Sequence, residues 1–248
     1  RDENLLPWPR TPELVREQLS EYYGLVSHLD QQVGRIVAAV QEQGLDKDTI
    51  IVYAADHGLA LGSHGLLGKQ SLYEHSMQAP LIVVGPGIVA GERQSLVYLH
   101  DLFPTILEWA DVPLPAENEG RSLRPWLSAE GADGGRDVLF TAYKDTIRAV
   151  RDERWKLIRY PQIDRTQLFD LVADPHETQD LSAAATWESQ AALDRLSKLL
   201  VTAQAEHGDR VPWVVAEPKS GEIDLTGHPR KPDQWQPKWI VEKYFSQE

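Results

Sequence analysis

Cysteine is absent from the 248 residues, which excludes disulfides, thiolate-bound metals and a cysteine nucleophile within this chain and leaves the redox compartment undetermined. No run approaches the roughly 18 consecutive apolar residues of a membrane span, and the opening RDENLLPWPRTPEL lacks the basic-then-apolar layout of a signal peptide. Basic charge is also short. Lysine and arginine total 25 against 38 aspartates and glutamates, a formal charge of −13 with histidine neutral. An average surface of that sign repels nucleic acid and anionic membranes, so neither is an expected partner. An anionic substrate would need local positive charge to be held.

What is present reads as an α/β chain. From Pro12 to about Gln43, apolar residues recur at Leu14, Leu19, Tyr22, Val26, Leu29, Val33, Ile36, Val37 and Val40, the spacing of a helix with one buried stripe. Thr11-Pro12 starts it and Gly44 stops it. TIIVYAA (49–55) is short, β-branched and apolar on both parities, as expected of a strand covered on both faces. APLIVVG (79–85) is a second such strand, ended by the turn signal Gly85-Pro86-Gly87, and HDLFPTILEWADV opens a helix. After about Pro113 the texture changes to a Gly-, Pro- and charge-rich stretch with one helical turn at 123–127. VLFTAY, IRAVRDERWKLIRY and TQLFDLVADP follow as strands in tight antiparallel succession, then an amphipathic helix over about 187–206. Residues 1–112 are therefore expected to be part of a mixed, largely parallel sheet flanked by helices. Residues 113–210 are expected to form a small antiparallel subdomain with a packed helix, and 211–248 an extended arm rich in proline and aromatics.

One loop carries more chemistry than turning requires: YAADHGLALGSHGLLGKQSLYEHS, residues 53–76. An acidic residue at the C-terminal end of a parallel strand sits where α/β sheets gather ligands. Asp56 and His57 can both turn toward one cation at a strand-to-loop break, and Gly58 allows the bend. Two donors are too few for a divalent ion, so others must come from elsewhere. Lys69 is a compact charge suited to an anion, with Gly68 letting that anion near the backbone. His64 can donate a proton or a hydrogen bond near neutral pH. Taken singly, each has a plain explanation: a turn aspartate, a solvated lysine, a surface histidine. Tyr73, Glu74, His75 and Ser76 read as residues that pack and hydrogen-bond to hold the loop.

In combination, DHG closing an apolar strand, then GSHGLLGK, YEHS and PLIVVGPG, resembles the sulfatase family of the alkaline phosphatase superfamily. LHDLFPTILEWADV, IRAVRDERWKLIRY and QLFDLVADPHETQDLS extend the likeness over about residues 20–182. The resemblance implies that Asp56 and His57 ligate a divalent metal, most often calcium. It also implies that Lys69 contacts the sulfate and the leaving oxygen in catalysis, with His64 a candidate substrate contact. Asp101 reads as structural. The family's nucleophile, a formylglycine made from cysteine or serine within a Cys/Ser-x-Pro/Ala-x-Arg signature, belongs to an N-terminal half that has no counterpart here. The expectation is therefore a chain carrying the C-terminal part of the active site of a sulfatase acting on an anionic sulfate ester, a sulfated carbohydrate or an aryl sulfate, with the N-terminal half of the same protein as partner. The rivals are a phosphomonoester, phosphodiester or phosphonate hydrolase of the same superfamily, and a non-catalytic carbohydrate-binding remnant.

Overall fold

The computed structural model describes residues 5–6, 10–128, 135–222 and 238–245. Helix α1 (Pro12–Glu42) is capped as its sequence dictates: the Thr11 hydroxyl accepts from the Leu14 N–H at 3.4 Å and proline occupies the first turn. Gly44, at φ 67°, ends it. Strands β1 (Ile51–Ala54) and β2 (Leu81–Val84) flank the long loop, within which Glu74–Met77 forms the single turn α2. Then come α3 (Leu102–Trp109), the short α4 (Arg124–Leu127) and four strands: β3 (Leu139–Tyr143), β4 (Ile147–Arg151), β5 (Trp155–Tyr160) and β6 (Arg165–Asp170). Helix α5 (Trp187–Glu206) and helix α6 (Lys238–Phe245) follow.

The α/β class and the antiparallel subdomain are as expected, but two details of the first part are corrected. β1 and β2 pair antiparallel, with Val52 opposite Val83, and the described residues contain no parallel pair. An apolar run reports burial but carries no sign of strand direction; here the intervening loop reverses the chain. The expected coverage is also incomplete. No residue of α1 is buried, Val26, Leu29 and Ile36 of its stripe lie exposed, and so do Ile82 and Val84 of β2. The helical periodicity is real, but the described residues cover the stripe only in part: Leu14, Leu19, Tyr22, Val33, Val37 and Val40 are half-buried. A third difference concerns the arm, whose residues 223–237 lie outside the described residues: 238–245 are helical rather than extended, and Lys243 pairs with Glu17 and Glu21 of α1 at 3.0 and 2.6 Å.

The second part has a complete core. The sheet order is β3-β4-β5-β6, antiparallel throughout, and strand alternation divides its side chains between two faces. Val150, Trp155, Leu157 and Leu168 face Ala192, Leu196 and Leu200 of α5. Ile147, Ala149, Ile158 and Phe169 take the other face and pack against Leu72 and Tyr73 of the long loop. The sheet thus acts as a platform for that loop.

Asp209 fastens the end of α5 to the sheet. Its carboxylate accepts from Arg148 at 2.5 and 3.0 Å and from the Gln204 amide at 2.8 Å. The Arg148 hydrogen bonds, against a smaller opposing effect of burial, bring its pKa from 3.8 to about 2. A depressed carboxyl stabilises the fold above its unfolded pKa and loses that contribution as pH falls through the folded value. About 2 kcal/mol should therefore disappear between about pH 4 and pH 2. Acid denaturation of Asp209→Asn, followed by circular dichroism, should lack that part of the slope; a profile identical to the parent would contradict the assignment.

Candidate active site

Asp56 follows β1 after one residue, and its side chain is 82% exposed. The His57 Nδ1 lies 2.8 Å from the Gly58 carbonyl. A carbonyl only accepts, so Nδ1 carries a proton in this contact, and Nε2 is the ring nitrogen left to face a cation. That Nε2 is 3.5 Å from Asp56 Oδ2. An oxygen and a nitrogen donor thus converge from adjacent residues, with the ring oriented by a backbone carbonyl as metal-binding imidazoles are. The pair fits a divalent cation as a partial shell. No group of three or more such side chains occurs among the described residues, so the pair by itself does not complete the shell of a divalent ion.

The backbone keeps the loop folded over this pair. The Gly58 N–H donates to the Ser76 carbonyl at 2.9 Å, and a Cβ at Gly58 would stand 2.1 Å from the His75 carbonyl oxygen. Only glycine lets α2 lie so close to the DHG turn. Farther on, the amides of Ala60, Leu61 and Gly62 donate to the carbonyls of Gly68, Leu67 and Leu66 at 3.0, 3.3 and 2.7 Å. These rungs bring the segment that ends in Lys69 back along the one that starts at Asp56. Lys69 is exposed and forms no ion pair among the described residues, so its charge is available to an anion.

His64 is positioned differently. It occupies the left-handed region, φ 55°, at the tip of the turn. Its ring stacks on Tyr73, with centroids 3.9 Å apart and planes within 6°. Its Nε2 lies 2.9 Å from the carbonyl of Glu177, which belongs to the segment after β6. The loop's holding residues behave as the sequence suggests. The Tyr73 hydroxyl donates to Gln167 Oε1 at 2.9 Å, and the Ser71, Ser76 and His75 side chains form a chain of hydrogen bonds at 3.0 and 2.9 Å.

The sequence reading did not single out Arg151, Lys156 and Glu177. Lys156 Nζ lies 2.8 Å from both Glu74 Oε1 and Glu177 Oε1, and Arg151 reaches Glu74 Oε2 at 2.5 Å. Lys156 is 2% and Glu177 1% exposed. Burial pushes the Glu177 carboxyl above the usual carboxylate range. Burial acts on Glu74 in the same direction, but Lys156 and Arg151 outweigh it and hold that carboxyl below. The available signal was a lysine at an inward-facing strand parity between Trp155 and Leu157. Asp101 is structural, as expected: fully buried, it accepts from Arg136 at 2.5 and 2.8 Å and from the Tyr98 and Arg121 amides at 2.8 Å each.

Comparison with known proteins agrees with the family resemblance. Residues 3–112 match the family described as sulfatase, and residues 62–206 match the family described as N-sulphoglucosamine sulphohydrolase, C-terminal. Arylsulfatase K of Gallus gallus is 34% identical over 205 residues, covering 77% of this chain and 38% of the relative. A structure solved in complex with its substrate D-glucosamine-2-N,6-O-disulfate aligns at TM-score 0.64 and 29% identity, covering 76% of this chain and 40% of that one. The phosphonate monoester hydrolase of Silicibacter pomeroyi aligns at TM-score 0.71 and 27% identity, over 81% of this chain and 43% of its own. The chain spans about two fifths of the length of these relatives.

Proposed function

The chain belongs to the sulfatase family of the alkaline phosphatase superfamily, and from that premise we propose that it supplies the C-terminal part of the active site of a sulfuric ester hydrolase. The observation that carries the proposal is the Asp56–His57 donor pair at the end of β1, in the same hydrogen-bonded loop as Lys69, which forms no ion pair among the described residues. Asp56 and His57 would hold a divalent cation. The resemblance points to calcium, whereas an imidazole donor suits a borderline transition ion better than a hard one, so metal analysis of the purified protein decides between them. The bound cation would polarise sulfate oxygens, and a formylglycine on the N-terminal half would be the nucleophile.

The tasks of this chain's own residues follow from charge. On a protein of net charge −13 a sulfate ester is attracted only where a cation stands free, and Lys69 is such a cation. Its ammonium would offset negative charge on the bridging or peripheral oxygen as the bond to the alcohol breaks. His64 would contact the substrate at the turn tip. The exposed apolar stripe of α1 and the exposed residues of β2 would be covered by the N-terminal half, which supplies the layer that these periodicities call for. A sulfated sugar is the favoured ester, supported by the likeness to the structure that holds a disulfated glucosamine.

The likeness to a phosphonate monoester hydrolase keeps a second reading in play, since one metal edge can serve both sulfuryl and phosphoryl transfer. Rates of the full-length protein on an aryl sulfate, a 6-O-sulfated glucosamine and an aryl phosphonate monoester separate the two. The proposal expects the sulfate esters to turn over faster; a preference for the phosphonate would replace it with the second reading. Asp56→Ala should abolish metal retention, and elemental analysis finding the parental metal content would contradict the ligand assignment.

A further inference from the structure

The register of the antiparallel sheet creates an electrostatic problem at the place where the long loop docks. Arg151 of β4 and Lys156 of β5 are directly opposed partners, and both point to the face that carries the loop. Like charges so placed repel. Glu74, at the start of α2, reaches both with one carboxylate, at 2.5 Å to Arg151 and 2.8 Å to Lys156. Glu177 meets Lys156 from the other side at 2.8 Å, and its Oε2 accepts from the Glu74 amide at 2.6 Å. Two cations and two carboxylates thus balance in a site where neither Lys156 nor Glu177 reaches water. Glu177 sits at φ 55°, an uncommon conformation for a residue with a side chain, and the backbone so turned presents its carbonyl to His64 Nε2 at 2.9 Å.

We infer that Lys156 is a positioning residue for the site loop: by locking Glu74 and Glu177 it fixes the Glu177 carbonyl, which holds His64 as the Nε2–H tautomer and leaves Nδ1 as a hydrogen-bond acceptor. The carbonyl cannot donate, so the Nε2 contact requires the proton there. Nδ1 has no protein partner among the described residues, and the residue is exposed. In the neutral ring His64 therefore offers substrate a lone pair at Nδ1, suited to a donor such as a hydroxyl rather than to sulfate oxygens, which only accept. The groups facing the ring are the Tyr73 phenol, stacked on it, and His75, with ring centroids 5.3 Å away. The purpose of this device rests on the function proposed above. Its existence does not, because neither measurement below involves turnover.

The test uses the full-length protein with Lys156→Met, Lys156→Arg and Glu177→Gln, read by amide hydrogen exchange and by nitrogen-15 spectra of labelled histidine rings. In Lys156→Met the loop amides of Gly58, Ala60 and Gly62 should exchange at least about a hundredfold faster, the scale of leaving a buried charge uncompensated. Amides within β4 and β5 should change by less than about tenfold, and the fixed Nε2–H pattern of His64 should give way to averaging between tautomers. Lys156→Arg should restore both readouts, and Glu177→Gln, which retains shape and backbone, should loosen the loop while keeping the sheet. Should Lys156→Met not fold, the Glu177→Gln comparison decides alone. Unchanged loop exchange in the variants, equal acceleration of loop and sheet, or a parent His64 protonated at Nδ1 would each overturn the inference.

Discussion

Replacing Lys69 with alanine in the full-length protein is expected to lower the turnover of a sulfate ester at least about a hundredfold, the scale of removing one preorganised charge or donor from a developing oxyanion. The variant is a clean probe because the fold asks little of this side chain. Lys69 is exposed, and the rungs that shape its surroundings run between backbone groups on either side, from Ala60 to Gly68 and from Gly62 to Leu66. Thermal stability should stay within about 0.5 kcal/mol of the parent. A loss of kcat with KM little changed would place the contact in the transition state, whereas a rise in KM alone would make Lys69 a binding residue. Hydrolysis at nearly the parental rate would remove Lys69 from the mechanism altogether.

Asp101→Ala should act on stability instead. Burial pushes its carboxyl up, but the Arg136 hydrogen bonds and the amides of Arg121 and Tyr98 outweigh that and hold it below the ordinary value, so it stays ionised near neutrality. It thereby ties three separate segments: the turn before α3, the loop preceding α4 and the chain that enters β3. Arg136 is nearly as buried as its partner, and truncating Asp101 would leave the guanidinium without it. Breaking such a pair costs about 3–5 kcal/mol. For a chain of this size the melting temperature should fall by on the order of 10 °C. A thermal melt showing less than about 1 kcal/mol of destabilisation would show that Asp101 is not the tie that its hydrogen bonds suggest. Metal content should be unchanged in the folded fraction, since Asp101 contacts neither Asp56 nor His57.

The legible parts of the sequence were those governed by local rules. Helix α1 starts at a threonine cap followed by proline, and its end at a glycine with positive φ follows equally local chemistry. The sheet β3–β6 was legible because alternation and tight turns are encoded within a few residues of each strand. The direction of β1 relative to β2 was not, because pairing depends on how a 26-residue loop returns and apolar composition is indifferent to it. The exposure of Ile36 and Val84 was equally hidden: periodicity says which face seeks cover, not whether the cover lies within the same stretch of chain.

In the site, Asp56, His57, His64 and Lys69 drew attention because polar residues gathered within a few turns of one loop. Lys156 and Glu177 act on that loop from more than 80 residues away in sequence, through cross-strand register and a single left-handed residue. Such pairings have no short-range signature beyond a charge at an inward parity. What the sequence implies about Glu74 as a holding residue becomes specific only once its two cationic partners are known to oppose each other across β4 and β5.

The central claim is that the aspartyl oxygen, the adjacent imidazole and the lysine ammonium surround one cation and the oxyanion that it binds. A crystal structure of the full-length protein with its metal and a bound sulfate tests it most directly. The account predicts Asp56 and His57 atoms within about 2.6 Å of the metal and the Lys69 ammonium within about 3.2 Å of a sulfate oxygen. A metal held elsewhere, or a Lys69 nitrogen more than about 12 Å from Asp56 and so beyond the reach of a screened charge, would contradict it.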